Sequence, residues 1–238
     1  LARDPAAVFL SFGDPAEFVP AIQAAKVPLI CQVQTLRDAA HAIDLGAEII
    51  VAQGAEAGGH GEKRATFTLV PEIADHIARH APDVLLCAAG GVGDGRGLAA
   101  ALMLGADGVV VGSRFWASEE ALVHPAMLKA AIEASGDDTL RSTVTDIMRG
   151  YDWPERYTGR VLRNEFTDRW HDDPDGLRAA LAQELPRWQA AVAEGDARTA
   201  NAFVGEVAGL IGAVSPAADI LRDIVQGAKV ALRQTFTR

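Results

Sequence analysis

The chain has 238 residues, of which 49% are hydrophobic, and a formal net charge of -10 at pH 7. This length allows a sizeable core in one domain, or in one domain with an appendage. The acidic balance argues against a nucleic acid or an anionic membrane surface as partner, because like charges repel and no basic run offsets them. No apolar stretch reaches the roughly 18 residues that cross a bilayer, so we expect no membrane span.

The two cysteines, Cys31 and Cys87, both lie in apolar strand-like runs. Such positions are typical of buried small hydrophobic side chains, so we predict neither a disulfide nor a metal site. Together with the lack of a signal-peptide pattern, they indicate a reducing cytoplasm. The first residue is Leu1 rather than Met, and we expect that the chain begins partway through a longer protein.

Five strand–loop–helix units are predicted in the first half of the chain. The predicted strands cover residues 8–12, 27–33, 49–51, 84–89 and 108–111, and the helices between them 18–25, 36–45, 71–79 and 95–104. Strict alternation of strands and helices predicts parallel strands with helices packed outside them. The fold class is therefore α/β.

Glycines and polar residues follow each predicted strand at its carboxyl end. They are Gly13, Gln34, the segment 53–60, Gly90-Gly91 and Gly112-Ser113. Ligands bind at the carboxyl ends of parallel strands in α/β folds, so we expect the functional site on this rim.

His60 stands in the densest glycine segment, residues 54–61. Glycines let the backbone approach a flat or charged ligand, since no Cβ intervenes. A histidine held among them is typical of a titratable group at the mouth of a site. A glycine-rich turn with a solvated histidine is the alternative interpretation.

Gly90-Gly91 and Gly112-Ser113 end consecutive predicted strands. Backbone N–H groups in such turns, with the Ser113 hydroxyl as a further donor, can bind a phosphate group. In an eight-stranded barrel, the loops after the last two strands frequently form the phosphate site. Two plain tight turns are the alternative.

After about residue 125 the strand pattern stops, and helices are predicted at 127–134, 174–194 and 216–236. An irregular section between them contains aromatic residues, among them Trp153 and Tyr157, to which we assign no chemistry. We therefore predict barrel units in residues 1–124 and, in residues 125–238, a helical region that packs on or over the barrel.

Several segments together resemble nitronate monooxygenases, formerly called 2-nitropropane dioxygenases. The most specific is Ala-Gln-Gly-Ala-Glu-Ala-Gly-Gly-His-Gly at 52–61, and the others lie at 32–36, 88–92, 94–97, 105–108, 112–115 and 158–164. The resemblance covers essentially the whole chain. It implies a TIM (β/α)8-type barrel that depends on flavin mononucleotide (FMN) and oxidises alkyl nitronates with molecular oxygen.

Carried over by position, the resemblance makes His60 the catalytic base and implies no metal. It assigns FMN contacts to Gln53, Gly58, Gly59, Gly90, Gly91, Val111, Gly112 and Ser113. The chemistry suits these residue types, because a neutral imidazole can take the acidic proton beside a nitro group. The flavin supplies the electron acceptor, so the protein needs only to position and polarise.

The strands that end in Gly90-Gly91 and Gly112-Ser113 would be the seventh and eighth of such a barrel. Counted back from them, the five predicted strands correspond to its fourth to eighth strands. The first three units would then be absent, which leaves exposed sheet edges. We expect that a missing amino-terminal segment or another polypeptide, such as a second copy of the chain, completes the barrel.

Two other functions stay open. A barrel-type FMN-dependent enoyl-thioester reductase has a similar Glu-Ser/Ala-Gly-Gly-His stretch, but glutamate usually stands at the position of Gln53, so Gln53 favours the nitronate enzyme. An inactive half-barrel is the third hypothesis, and it predicts a colourless protein.

Overall fold

The computed structural model describes residues 3–233. Its strands, in chain order, are β1 (Val8–Ser11), β2 (Leu29–Val33), β3 (Ile49–Gln53), β4 (Gly59–Gly61), β5 (Leu85–Ala89), β6 (Gly108–Val110), β7 (Thr139–Ser142) and β8 (Thr158–Leu162). Its α-helices are α1 (Val19–Ala25), α2 (Leu36–Asp44), α3 (Thr66–His80), α4 (Gly95–Met103), α5 (Ser113–Trp116), α6 (Pro125–Glu133), α7 (Val144–Arg149), α8 (Glu165–Trp170), α9 (Pro174–Glu194) and α10 (Ala217–Arg233). Short 3-10 helices cover Gly136–Asp138 and Glu206–Leu210.

The described chain divides into two compact units. The first contains the described residues up to 55, residues 63–110 and the described residues from 227, and the second contains residues 56–62 and 111–226. β4 therefore belongs to the second unit. The predicted division into residues 1–124 and 125–238 stays a prediction.

The first unit is built on a parallel sheet of five strands in the order β1-β2-β3-β5-β6. These are the five predicted strands, with ends that differ by at most two residues. The sequence locates them because continuous apolar runs bounded by glycine and polar turns are typical of the strands of a parallel sheet.

The two faces of this sheet differ in their surroundings. One face packs with helix side chains into a core that includes Cys31, Ile50, Leu86, Leu69 and Ile73. The other face carries a row of side chains in register across four strands, Phe9, Ile30, Ile49 and Leu85. Phe9 and Leu85 are 46% and 50% exposed. The described part of the first unit therefore covers one sheet face with helices and leaves apolar groups accessible on the other.

The second unit contains an antiparallel sheet of three strands in the order β4-β8-β7. The expectation that strands end after residue 125 is therefore wrong. β7 and β8 are short and mix polar with apolar residues, so neither carries the continuous apolar run by which buried strands are recognised. They are stabilised by pairing with each other and with β4, and this pairing depends on the tertiary structure rather than on the local sequence.

The second unit also contains a helical core. α7, α8 and α9 share a core in which Val144, Phe166, Leu177 and Trp188 are buried. The predicted helix at 174–194 coincides with α9. The predicted helix at 127–134 is α6, shifted by two residues at its start, and the end of the predicted helix at 216–236 lies outside the described residues.

Helix α3 begins at Thr66, earlier than the predicted start at Pro71. Leu69 and Val70 are fully buried, so the additional first turn gains hydrophobic contacts. The missing N–H of Pro71 costs one helical hydrogen bond near the amino-terminal end, where the chain tolerates it best. No helix among the described residues is long and apolar enough to cross a membrane.

Candidate functional site

His60 lies at the centre of strand β4, opposite Gly159 of β8. The predicted glycine loop is thus partly a strand, and pairing with β8 fixes the backbone that carries the imidazole. The Nε2 atom of His60 lies 2.9 Å from Oδ1 and 3.0 Å from Oδ2 of Asp146. Both side chains are largely buried, with 12% of the His60 and 5% of the Asp146 side chain exposed. A solvated histidine in a plain turn does not fit this environment.

Two aromatic rings lie near the His60 imidazole, and one of them stacks on its face. The Trp153 ring stacks on it with a centroid distance of 3.9 Å and an interplanar angle of 14°. The Phe203 ring is tilted, at a centroid distance of 6.4 Å. The imidazole is therefore held in a defined plane. Trp153 had no assigned chemistry from the sequence, since an aromatic residue in an irregular segment gives no indication of its partner.

Arg141 on β7 ties the end of β4 to β8. Its Nη1 donates to the carbonyl oxygen of Gly61 at 3.0 Å and to that of Thr158 at 2.5 Å. Burial, with the nearby Arg160 guanidinium, lowers the pKa of Arg141 to about 10. Arg141 stays cationic at neutral pH and places a positive charge beside the residue that follows His60.

Gly58 packs against the backbone at Val204 and Gly205. A Cβ on Gly58 would lie 2.7 Å from the Gly205 nitrogen, and a Cβ on Gly205 would lie 2.5 Å from the Glu56 oxygen. These two segments of the second unit therefore require glycine at both positions. The Gly205 N–H also donates to Ser113 Oγ at 2.8 Å. Gly205 was not predicted from the sequence, because an isolated glycine in a loop carries no recognisable pattern.

Gly112 and Gly59 differ from Gly58 in their surroundings. A Cβ on either would meet no heavy atom within 4 Å. Gly112 has φ of -99°, which any residue can adopt, so neither strain nor packing within the structure requires glycine there. Val111 lies half-buried directly before it, after the end of β6. Gly59 has φ of +77°, which favours glycine.

In the first unit, Gln53 lies at the carboxyl end of β3, where its backbone is in register with Ala89 of β5. The next residues after Ala89 are Gly90 and Gly91, with φ of +95° and +75°. The Thr66 hydroxyl donates to the Gly90 carbonyl oxygen at 3.1 Å. Gln53, Gly90 and Gly91 therefore share one edge of the sheet, and the turn alone accounts for both glycines.

The buried Gln53 side chain is oriented by a neighbour. Gln34 Nε2 donates to Gln53 Oε1 at 2.7 Å, which leaves the Gln53 amide as a donor group. The described residues contain no group of three His, Cys, Asp or Glu side chains able to hold a metal ion. Both cysteines are free thiols, Cys31 buried and Cys87 half-buried.

Comparisons with known proteins show which family the chain belongs to. The family model for nitronate monooxygenase matches residues 1–227. A nitronate monooxygenase from Neurospora crassa is 35% identical over 229 residues, which cover 93% of this chain and 59% of that protein. The chain thus spans less than two thirds of the length of this relative.

Solved structures show the same architecture. FabK from Thermotoga maritima superposes with a TM-score of 0.82 at 30% identity, covering 98% of this chain and 71% of that one. A nitroalkane oxidase from Streptomyces ansochromogenes has a TM-score of 0.75 at 22% identity, covering 94% and 65%, and shows the fold alone. The prediction of an α/β fold of TIM (β/α)8 type is confirmed.

The first unit has a parallel sheet with a glycine-rich carboxyl edge, and the second has a buried histidine in contact with a carboxylate and an indole ring, so the chain is an α/β protein with a candidate functional site. Within this class, the chain belongs to the nitronate monooxygenase family. The resemblance inferred from the segment at 52–61 is thereby confirmed.

Proposed function

We propose that this chain carries the catalytic residues of an FMN-dependent enzyme that oxidises alkyl nitronates with molecular oxygen, with His60 as the general base. The observation that carries the proposal is the imidazole of His60, which is buried, hydrogen-bonded to Asp146 and stacked on Trp153. The membership in the nitronate monooxygenase family, whose members are flavoenzymes, supports the same reaction.

The residues present fit a flavin phosphate. A Cβ on Gly112 would enter open space, since no heavy atom lies within 4 Å of it. This space is therefore available to a ligand. Ser113 Oγ accepts a hydrogen bond from Gly205, so its own hydrogen can point to a phosphate oxygen. The other proposed flavin contacts stay predictions; they are Gln53, Gly58, Gly59, Gly90, Gly91 and Val111. The Gln53 amide is a neutral donor of the kind that binds flavin carbonyl groups.

In the proposed mechanism, the protein itself takes up a single proton, which comes from the substrate. His60 accepts the proton from the carbon beside the nitro group of a neutral nitroalkane, and the electron pair of the broken C–H bond moves into the nitro group to give the nitronate. A bound flavin would supply the electron acceptor for the nitronate, with molecular oxygen as the final acceptor. Trp153 and Phe203 reduce the access of water to the imidazole, and Asp146 balances its positive charge after proton transfer.

The test compares two substrate forms with the flavin-loaded protein. His60→Asn should lower turnover of neutral nitroalkane by about a hundred- to ten-thousandfold. Turnover of preformed nitronate should change far less, since its proton is already gone. His80→Asn, an exposed histidine on α3, is the matched control and should leave both rates unchanged. Oxygen uptake measures both, and an unaltered rate with neutral nitroalkane in His60→Asn would remove His60 from the mechanism.

The same preparation tests the alternatives. Oxidation of NAD(P)H that depends on an enoyl thioester, without nitronate-driven oxygen uptake, would assign the reductase function instead. A colourless protein that does not bind added FMN would support the inactive form. A cytoplasmic location and association with a further segment or a second copy of the chain stay parts of this proposal, to be tested by fractionation and size-exclusion chromatography.

A further inference from the structure

Asp146 is a buried carboxylate near the middle of helix α7. Its neighbours Val144, Ile147 and Met148 are buried, and Asp146 itself is 4% exposed. Removing a carboxylate from water is costly unless a partner compensates it. Within residues 3–233, the partner of both its oxygens is Nε2 of His60, although the two residues are 86 positions apart. The role of Asp146, which offsets the cost of its burial, therefore lies in its effect on the His60 imidazole.

The contact determines which imidazole nitrogen carries hydrogen. An ionised carboxylate only accepts hydrogen bonds, so Nε2 must be the donor in the neutral ring. The lone pair of the neutral ring is then on Nδ1. Stacking on Trp153 at an interplanar angle of 14° restricts the remaining freedom, which is rotation of the ring plane.

We propose that Asp146 is a positioning residue that holds His60 as the Nε2–H tautomer, so that Nδ1 is the atom that takes the substrate proton. The proton leaves the carbon of the nitroalkane, bonds to Nδ1, and converts the imidazole to an imidazolium that faces the Asp146 carboxylate. This role rests on the proposed function of His60 as base. Its structural part, the tautomer, can be tested without substrate or flavin.

The other charges near β4 do not replace Asp146 in this role. Arg141 is bonded to the Gly61 and Thr158 carbonyls, Arg160 is paired with Glu206, and Arg156 with Glu62. The Arg149 guanidinium lies over the Phe203 ring, 4.7 Å from its centroid. Asp146, in contrast, is in direct contact with Nε2 of the imidazole.

The first experiment is nitrogen NMR of protein labelled with 15N at histidine, with the His60 signals identified by their loss in His60→Asn. The wild type should show a protonated Nε2 and an unprotonated Nδ1 at neutral pH. Asp146→Asn should add a population with hydrogen on Nδ1, because an amide can either accept from Nε2 or donate to it. The control is Asp152→Asn, which removes the same charge from an exposed residue beside Trp153 and should leave the spectrum unchanged.

A wild-type spectrum with hydrogen on Nδ1 alone, or an imidazolium at neutral pH, would overturn the proposal. An Asp146→Asn spectrum identical to that of the wild type would do the same. If Asp146→Asn does not fold, the wild-type spectrum still decides, because the proposed tautomer is a property of the native chain.

The second experiment measures kinetics on the flavin-loaded protein. Asp146→Asn should lower kcat for neutral nitroalkane by about ten- to a hundredfold, less than the loss of the base itself, with little change for preformed nitronate. Asp146→Glu, which restores the charge, should recover part of kcat. Equal losses for both substrates would assign Asp146 a purely structural role. If the wild type turns over neither substrate, the proposed function fails, while the NMR result still tests the contact.

Discussion

Gln34 donates a hydrogen bond from Nε2 to Oε1 of Gln53 at 2.7 Å, and both residues are almost completely buried. The pair joins the carboxyl ends of β2 and β3 in the first unit. In a buried site, each amide is compensated by the other, so a change at one affects both.

We predict that Gln34→Ala and Gln53→Ala each lower the free energy of unfolding by about 1–3 kcal/mol, because the remaining amide keeps an unsatisfied polar group. The double variant should lose less than the sum of the two. Urea denaturation of all three measures this coupling. Gln189→Ala on the exposed surface of α9 is the control, and additive losses would contradict the interpretation.

Gly95 is the most constrained glycine of helix α4. A Cβ there would lie 2.3 Å from the Ala228 nitrogen, whereas a Cβ on Gly227 would lie 3.2 Å from Gly95 Cα. Gly95→Ala should therefore destabilise the protein by about 3 kcal/mol or more, and Gly227→Ala by less. Gly112→Ala, with no atom within 4 Å, is the control and should be near neutral. Thermal denaturation ranks the three variants, and a tolerated Gly95→Ala would contradict this packing.

The open space at Gly112 also leads to a prediction about FMN binding. Gly112→Val should lower FMN affinity at least tenfold while the free energy of unfolding of the flavin-free protein stays nearly constant, because the side chain fills the proposed phosphate site. Riboflavin, which lacks the phosphate, should bind the wild type more weakly than FMN. Fluorescence titration measures both, and equal affinities would argue against the site.

Asp94 caps helix α4 in a pH-dependent manner. Partial burial alone would raise its pKa, but hydrogen bonds from the Arg96 side chain and the Gly97 N–H outweigh it, so the pKa of Asp94 is lowered from 3.8. A lowered folded-state pKa means that the carboxylate stabilises the protein above about pH 4 and that this contribution is lost as pH falls through the folded-state pKa.

Asp94→Ala should thus cost about 1 kcal/mol at pH 7. The difference from the wild type should shrink below the ordinary value of 3.8 as the cap is protonated. Denaturation at several pH values measures the difference. A difference that stays constant down to pH 2 would show that ionisation of Asp94 does not contribute.

Neither cysteine should react readily in the native protein. Burial raises the pKa of the Cys31 thiol to about 11, and burial, with the charge of Asp107, also raises that of Cys87. At pH 8 about one Cys31 in a thousand is then a thiolate, which is the reactive form. Alkylation followed by mass spectrometry should find slow modification of Cys31 that becomes fast in urea. Cys31→Ala assigns the signal, and rapid native modification would contradict the buried environment.

The sequence allowed the sheet of the first unit to be predicted because its information is local. The residues of β2 and β3 are apolar and partly β-branched, and Thr35 caps α2 by accepting from the Asp38 N–H, as the sequence pattern indicates. β7 and β8 could not be predicted in this way, because residues such as Arg141 and Arg160 give them no apolar alternation over enough positions.

The residues of the candidate site also differ in whether the local sequence identifies them. His60 stands out among its glycines, whereas Asp146 lies in the ordinary helical stretch Val144–Arg149 and gains its meaning only from the contact with His60. Gly58 was predicted as a flavin contact, and the backbone at Val204 and Gly205 gives it an additional reason to be glycine. Long-range pairs of this kind are invisible to periodicity and spacing.

The placement of β4 has a consequence for the order of events during synthesis. The segment 56–62 leaves the first unit and returns to it, and the Ala55 N–H donates to the Arg64 carbonyl oxygen at 2.7 Å across its base. Its pairing partner β8 emerges from the ribosome about 100 residues later, and loop closure over such distances slows folding. The surroundings of His60 are therefore completed only after β8 and Phe203 have been made, so all residues of the five-stranded parallel sheet are synthesised before those that surround His60.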